Sequence, residues 1–418
     1  MRSGLSPAEA LETILDATRP LGAETVAARD ALGRVLVEPV VSDRRLPPAD
    51  NSAMDGYAVR SSDLAGAGPE NRVSLRVVCE VAAGAEPSRS VGTGEAARIF
   101  TGAPIPAGAD AVVRQEDTTR DGDRVEIRVA TPAHDNVRDA GEDVQVGDAV
   151  LAAGTRLGSA QLGVLASLGR AVVSVHQRPR VAILSGGDEL VEPDRGAAGG
   201  GVVSSNSYSL AAHCHEIGAE PLYLGIARDT PGDLERHFRA GLSSHVLVSS
   251  AGVSVGDHDH VRPVLEKLGC ELVFWGVEMK PGYPLAFGRF PSSAGPLVFA
   301  LPGNPVSALV TFEQFVRPAL RKMMGHKSWY RPVVQARLAE PLRKKAGRLH
   351  FVRVILERVE GVIVARTTGN QGSGVLSSMI AAQGLLVFPA DATELREGDT
   401  ASVQVLDAGF FDSASPGF

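Results

Sequence analysis

Two carboxylates, Asp257 and Asp259, follow a loop of small residues that itself follows an apolar run, all within residues 245–260. In an α/β sheet this layout builds an anion and metal site. A buried strand delivers its carboxyl end, small residues let backbone N–H groups approach a phosphate, and the next helix N-terminus favours negative charge. Gly252, Ser254 and Gly256 are the small residues of that loop. Two other stretches repeat the layout: residues 181–190 run into Ser185, Gly186, Gly187, Asp188 and Glu189, and residues 297–308 run into Gly303, Asn304 and Pro305. Three such ends in one doubly wound sheet would line one edge and form one cleft for a nucleotide-like or phosphorylated ligand.

Asp229 stands at a further strand end, so Asp188, Glu189, Asp229, Asp257 and Asp259 together could serve Mg²⁺. That ion takes one or two carboxylates and completes its shell with water and substrate phosphate. The ordinary structural role of Asp188 and Asp229 is to cap a helix, and Asn304 suits the cap of the long helix that follows it. Lys280 lies where Pro281, Gly282 and Pro284 hold the chain rigid, a suitable place for an anion ligand. Three other patterns carry no weight. His213 and His215 are two residues apart, which on a helix turns their rings to different faces. His258 and His260 have no third ligand at zinc spacing. Ser185 lacks the G-x-S-x-G elbow and the partnered base that a nucleophile needs.

The elements that must position these residues follow from patterning. At 418 residues the chain is expected to hold about three domains, at roughly 150 residues each. With 42 Lys+Arg against 49 Asp+Glu, the net charge of −7 gives no general attraction to nucleic acid or to an anionic membrane, so an anion must be bound locally. Cys79, Cys214 and Cys270 form no paired framework, which fits a reducing cytoplasm. There is no apolar run of about 18 residues and no export leader, so neither a membrane span nor secretion is expected. Ser6, Pro7 and Glu9 have capping-box spacing, so the chain is expected to begin with a helix. Residues 49–135, with short alternating runs cut by Gly and Pro, read as a β-rich insert within an N-terminal domain of residues 1–48 and 136–176. Residues 177–327 alternate apolar and amphipathic runs, the mark of a parallel sheet covered by helices. The strands are expected at 181–184, 222–226, 246–249, 272–277 and 297–300, and the helices at 207–217, 231–240, 261–268 and 305–323. Residues 328–418 read as a small all-β domain, barrel or sandwich. The fold class is thus multidomain α/β plus β, with a central doubly wound domain.

Six ordered motifs carry a resemblance. They are residues 51–59 around Asp55, 100–106 around Thr101, 185–190, 252–256, 279–282 and 301–308. Together they resemble the molybdopterin molybdenumtransferase family, which comprises bacterial MoeA and the E domain of gephyrin, and the match runs from the first helix to about residue 407. The resemblance implies an elongated homodimer of four-domain subunits, with an active site shared between subunits. The implied substrate is adenylylated molybdopterin, whose dithiolene receives molybdate while the adenylyl group is hydrolysed off as AMP, with Mg²⁺ as the usual cation. By position, Asp55 and Thr101 match functional residues that face the partner's pterin-binding domain. Glu189, Asp229 and Asp259 match acidic active-site positions, with Asp259, Asp257 and Asp229 expected at the metal. Lys280, Arg353 and Ser373 match positions that hold the molybdate oxyanion. Residues 185–188, Gly252, Ser254, Gly256, Pro281 and 303–305 fall in the ligand-binding loops. The chain departs from the family at Gly276, where many members carry Lys or Arg, and at Tyr283, where many bacterial ones carry Lys. Ala251 stands where a glycine is usual. Two fewer cations are expected to weaken the anion site unless Arg353 compensates, at about 1.5–3 kcal/mol per hydrogen bond to a charged group. Two alternatives follow: a pterin-binding or scaffold homologue without turnover, and a paralogue selective for tungstate.

Overall fold

Apolar runs without alternation mark strands covered on both faces, and all five expected strands belong to one seven-stranded sheet. The computed structural model describes residues 2–195, 201–250, 260–291, 295–413 and 415. The chain divides into two units, one of Met1–Glu24, Gly33–Val37 and Ser174–Phe418, the other of Thr25–Leu32 and Glu38–Val173.

In the first unit the sheet strands are β1 (Arg2–Leu5), β2 (Arg180–Gly186), β3 (Glu220–Ala227), β4 (Val246–Ser250), β5 (Glu271–Val277), β6 (Ala286–Arg289) and β7 (Leu297–Leu301). Their spatial order is β1-β5-β6-β7-β4-β2-β3. The strands on either side of β6 run parallel to one another within each group, and β6 is antiparallel to both neighbours. The sheet is therefore mixed where a parallel one was expected. The carboxyl ends of β2, β4, β5 and β7 still reach the same edge.

Alternate residues of β2 face opposite ways. Val181 and Ile183 pack with Ala10 and Ile14 of α1 (Pro7–Ala17), with Leu210 and Cys214 of α2 (Ser205–Ile217), and with Val306 and Val310 of α5 (Pro305–Thr311). Ala182 and Leu184 pack with Leu234 and Phe238 of α3 (Pro231–Gly241) and with Val264 and Leu265 of α4 (Val261–Lys267). Helices cover both faces, which is the doubly wound arrangement.

A strand, β1, precedes the first helix, so the expectation of a helical start is corrected. Four residues without alternation give no strand signal, and β1 is held through its pairing with β5. The capping box is present: the Ser6 N–H donates to Glu9 Oε2 at 2.9 Å, and the Glu9 N–H donates to Ser6 Oγ at 3.3 Å. The long helix spans α5, a π-helical turn at Phe312–Val316 and α6 (Arg317–Met323). Pro318 has no N–H for the carbonyl one turn back, and widening of the helix just before it absorbs that loss.

The C-terminal strands β8 (Val333–Leu338), β9 (Leu349–Val359), β10 (Val362–Thr367), β11 (Gly384–Phe388) and β12 (Thr400–Val405) close into a five-stranded barrel, because β9 pairs with both β10 and β11. Val352, Val354 and Leu356 fill its interior. Phe351 points the other way, into the core of the α/β sheet. The second unit contains a six-stranded sheet over a core of Tyr57, Val59, Leu75, Val113 and Val125. Among the described residues no helix is long and apolar enough to cross a membrane.

Candidate functional site

A cleft of about 940 Å³ opens at the carboxyl ends of β2, β4, β5 and β7. Ser185, Gly186 and Glu189 line it from the first expected loop, and Gly303, Asn304 and Pro305 from the third. Ser250, the last described residue before the second loop, lines it as well. Gly252, Ser254, Gly256, Asp257 and Asp259, expected in that loop, lie outside the described residues. β2 sits between β3 and β4, so the chain reverses its direction of travel across the sheet there, the place where open α/β sheets bind ligands.

Buried hydroxyls form the cleft's floor. Ser204 Oγ donates to Ser185 Oγ at 3.0 Å and lies 3.1 Å from Ser207 Oγ, while Ser185 Oγ lies 3.5 Å from Ser250 Oγ. Each hydroxyl can donate once and accept twice, so the group can reorient toward a bound anion without leaving a partner stranded. Composition did not single out Ser204, Ser207 or Ser250. The only available signal was an abrupt change from Val202 and Val203 to a polar run, and the same change after Val248.

Gly187 has φ +145°, and a Cβ there would stand 2.6 Å from a Glu189 carboxylate oxygen, so this turn requires glycine. Asp188 Oδ1 accepts from the Asp229 N–H at 3.2 Å. Neither residue caps a helix: Thr230 takes that role for α3, accepting from the Asp233 N–H at 3.4 Å. Burial, together with the charges of Asp188 and Glu189, pushes the Asp229 carboxyl above its ordinary range. Among the described residues no group of three or more His, Cys, Asp or Glu side chains is arranged to hold a metal ion.

The barrel contributes cations. Lys280 is exposed and lies in a two-residue strand, Met279–Lys280, that pairs with the start of β9, opposite His350. Burial and the charges of Lys280, Lys344 and Arg348 push the His350 imidazole down to about 4, so it is neutral at pH 7. Three residues along β9, Arg353 is fully enclosed. Its Nη2 donates to the carbonyls of Asn370 at 3.2 Å and Gly372 at 3.1 Å. Its Nε and Nη1 are buried without a hydrogen-bond partner among the described residues. Burial lowers its pKa, and among the described residues no carboxylate acts on it. The loop that embraces Arg353 continues through Ser373, whose carbonyl accepts from the Val306 N–H at 3.1 Å, to Gly374 at the cleft wall. Arg353 and the Ser373 loop are thus brought together beside the first turn of α5. Pro281 is buried in the turn after Lys280. Asn304 occupies the N-cap position of α5 but makes no capping bond with its side chain.

The second unit carries its own polar pair. Asp55 Oδ1 accepts from both the N–H and the hydroxyl of Thr101, each at 2.8 Å, and these bonds hold the exposed carboxyl below its usual range.

Three stretches match family models: the MoeA N-terminal region (domain I and II) over residues 5–169, a "Probable molybdopterin binding domain" over residues 182–322, and the MoeA C-terminal region (domain IV) over residues 335–406. A molybdopterin molybdenumtransferase from Nostoc sp. is 41% identical over 88% of this chain and 85% of its own length. The chain belongs to the molybdopterin molybdenumtransferase family. Another member, from Haemophilus influenzae, is 36% identical over 92% of this chain and 94% of its own length. The crystal structure of the molybdopterin biosynthesis MoeA protein of Pyrococcus horikoshii OT3 superimposes with a TM-score of 0.79 at 32% identity, covering 96% of this chain and all of that one. The family resemblance, the multidomain fold and the transferase class read from the motifs are borne out. Family membership also carries the coarse assignment to molybdenum cofactor biosynthesis.

Proposed function

We propose that the protein inserts molybdate into adenylylated molybdopterin, with Mg²⁺, and releases AMP. The observation that carries this reading is Arg353. A buried guanidinium with no acidic partner among the described residues and two unspent N–H-bearing nitrogens is costly unless an anion completes it, and its planar fork suits a tetrahedral oxyanion. Lys280 supplies a second cation on the neighbouring strand, and Ser373 a hydroxyl on the embracing loop. In this reading the serine floor and the first turn of α5 hold the diphosphate.

The donor set at the cleft edge fits Mg²⁺. Burial, and then the charges of Asp188 and Glu189, raise the Asp229 carboxyl, and a cation would relieve the repulsive part of that shift. Glu189 and Asp229 would hold the ion, with Asp257 and Asp259 as further candidates. Bound Mg²⁺ supplies charge neutralisation on the phosphate oxygens. The oxygen of an attacking water would bond to phosphorus as its proton passes to the Asp229 carboxylate oxygen not bound to the ion, and the bridging P–O bond would break to free AMP. No protein nucleophile is needed. Positioning of water, phosphate and oxyanion does the work.

Purified protein given Mg²⁺, adenylylated molybdopterin and molybdate is expected to release AMP only when molybdate is present. AMP release that ignores molybdate, or its absence, overturns the reading. Tungstate in the same assay measures selectivity between the two oxyanions. We further propose a homodimer with a shared site, supported by the fixed, exposed Asp55–Thr101 pair. Mixing inactive Asp55→Ala and Arg353→Ala subunits is then expected to restore activity in the hybrid fraction.

A further inference from the structure

The cleft's lining mixes two kinds of residue. Ser185, Ser204, Asn206 and Ser250 are polar, while Trp275, Tyr283, Pro284 and Pro302 are apolar and partly aromatic. Phosphate suits the first kind and a flat ring suits the second.

Tyr283 is fixed on several sides. Its carbonyl accepts from the N–H groups of Val277 at 2.9 Å and Leu285 at 2.8 Å, which closes the turn it sits on. Gly282, at φ +110°, packs that turn against α5 so closely that a Cβ would lie 2.5 Å from Thr311 Cγ2. The Tyr283 ring meets Trp275 edge-on, with centroids 5.7 Å apart at 84°. The Arg348 guanidinium carbon lies 4.1 Å from its centroid, and Arg348 is itself tied to Glu278 at 3.0 Å.

Gly276 completes the cradle. Its φ is +81°, and a Cβ there would lie 3.2 Å from Tyr283 Cζ and 3.3 Å from its hydroxyl oxygen. A side chain at position 276 would press on this ring, which would have to give by a few tenths of an ångström. With Arg348, Trp275 and Gly276 around it, the ring is held in place, and Tyr283 is among the residues that line the cleft. A pre-positioned aromatic surface loses little freedom on binding.

We propose that Tyr283 is a ring-binding residue, the platform against which a fused planar heterocycle of the ligand, nucleobase or pterin, lies in the cleft. It rests on the reading of this cleft as the ligand site, but it concerns binding and not turnover. Calorimetric titration of the full-length protein with AMP and, separately, with free pterin tests it. Replacing an aromatic platform by alanine weakens base binding by 1–3 kcal/mol, a factor of about five to 150. Tyr283→Ala is expected to weaken at least one ligand by about tenfold, and Tyr283→Phe to stay within about twofold. Loss for AMP alone assigns the nucleobase to the platform, and loss for pterin alone assigns the pterin. If Tyr283→Ala, with an unchanged Tm, binds both ligands as the parent does, or if the parent binds neither, the proposal falls. Intact ring binding without molybdate-dependent AMP release would sink the catalytic reading and leave this one standing.

Discussion

Two regions of this molecule bury arginine, and they do so in opposite ways. Beside the π-helical turn, Arg331 grips buried Glu313 with two bonds, Nε to Oε1 at 2.7 Å and Nη2 to Oε2 at 3.1 Å, and Arg317 approaches the same carboxylate at 3.4 Å. At the barrel, Arg353 is more deeply enclosed, and among the described residues its side chain has only two carbonyls for company. A paired buried ion belongs to the fold, because breaking the pair strands a charge. An unpaired one is a standing cost that the fold does not recover, and it points to a ligand.

Breaking the paired region gives the largest expected effect on stability. Glu313→Gln leaves buried Arg317 and half-buried Arg331 without their carboxylate and is expected to cost about 3–5 kcal/mol. Urea unfolding measures it, and a loss below about 1 kcal/mol would erase the contrast from this side.

Arg353→Met attacks the contrast from the other side. Removing an unpaired buried charge is expected to leave unfolding free energy unchanged or raised. The hydrogen bonds it would give an oxyanion are worth about 1.5–3 kcal/mol each, so the molybdate concentration needed for AMP release is expected to rise at least about tenfold. Excess molybdate is expected to raise the Tm of the parent protein and not that of the variant. A variant that unfolds easily yet still responds to molybdate would make Arg353 a structural residue after all.

The contrast also explains what patterning alone can reveal. The strand ends at Ser185, Ser250 and Gly303 were legible because strands covered on both faces read as apolar runs that stop abruptly. β6 was not legible: it is four residues long and contains Gly288, where a Cβ would lie 2.6 Å from Cys270 Sγ. Arg353 is the instructive case. It alternates with Val352 and Val354, so strand periodicity turns it away from the barrel interior, which in an isolated barrel means toward solvent. Only the packing of that face against the α/β core, through Phe351 and Leu385, encloses it. Position within the family motif singled it out, whereas its burial was not legible. The Glu313 network was missed because a helical Glu and Arg four apart look like an ordinary exposed pair.

The same logic of spent and unspent hydrogen bonds separates two helix caps. Thr230 caps α3 through its side chain, whereas Asn304 stands at the N-cap of α5 with its side chain uncommitted. Thr230→Ala is expected to cost about 1 kcal/mol, and Asn304→Ala less than about 0.5 kcal/mol. If Asn304→Ala costs as much in thermal unfolding as Thr230→Ala, then Asn304 belongs to the fold and not to the cleft.

Asp229 offers the smallest and most local test. Its carboxyl is raised by burial and by Asp188 and Glu189, so the folded state binds this proton more tightly than the unfolded chain does. The sign follows: the stabilising contribution is full below the unfolded carboxyl pKa and is lost as pH rises through the folded one. Asp229→Asn, which cannot ionise, is therefore expected to gain slightly on the parent as pH climbs out of the carboxylate range, and the gap is expected to close in acid. The side chain is largely open to water, so the effect is modest. Mg²⁺ is expected to narrow the gap at neutral pH by neutralising the parent's crowded carboxylates, without acting on the variant to the same degree. A gap indifferent to Mg²⁺ would remove this acidic edge from the metal site and leave the cation to Asp257 and Asp259.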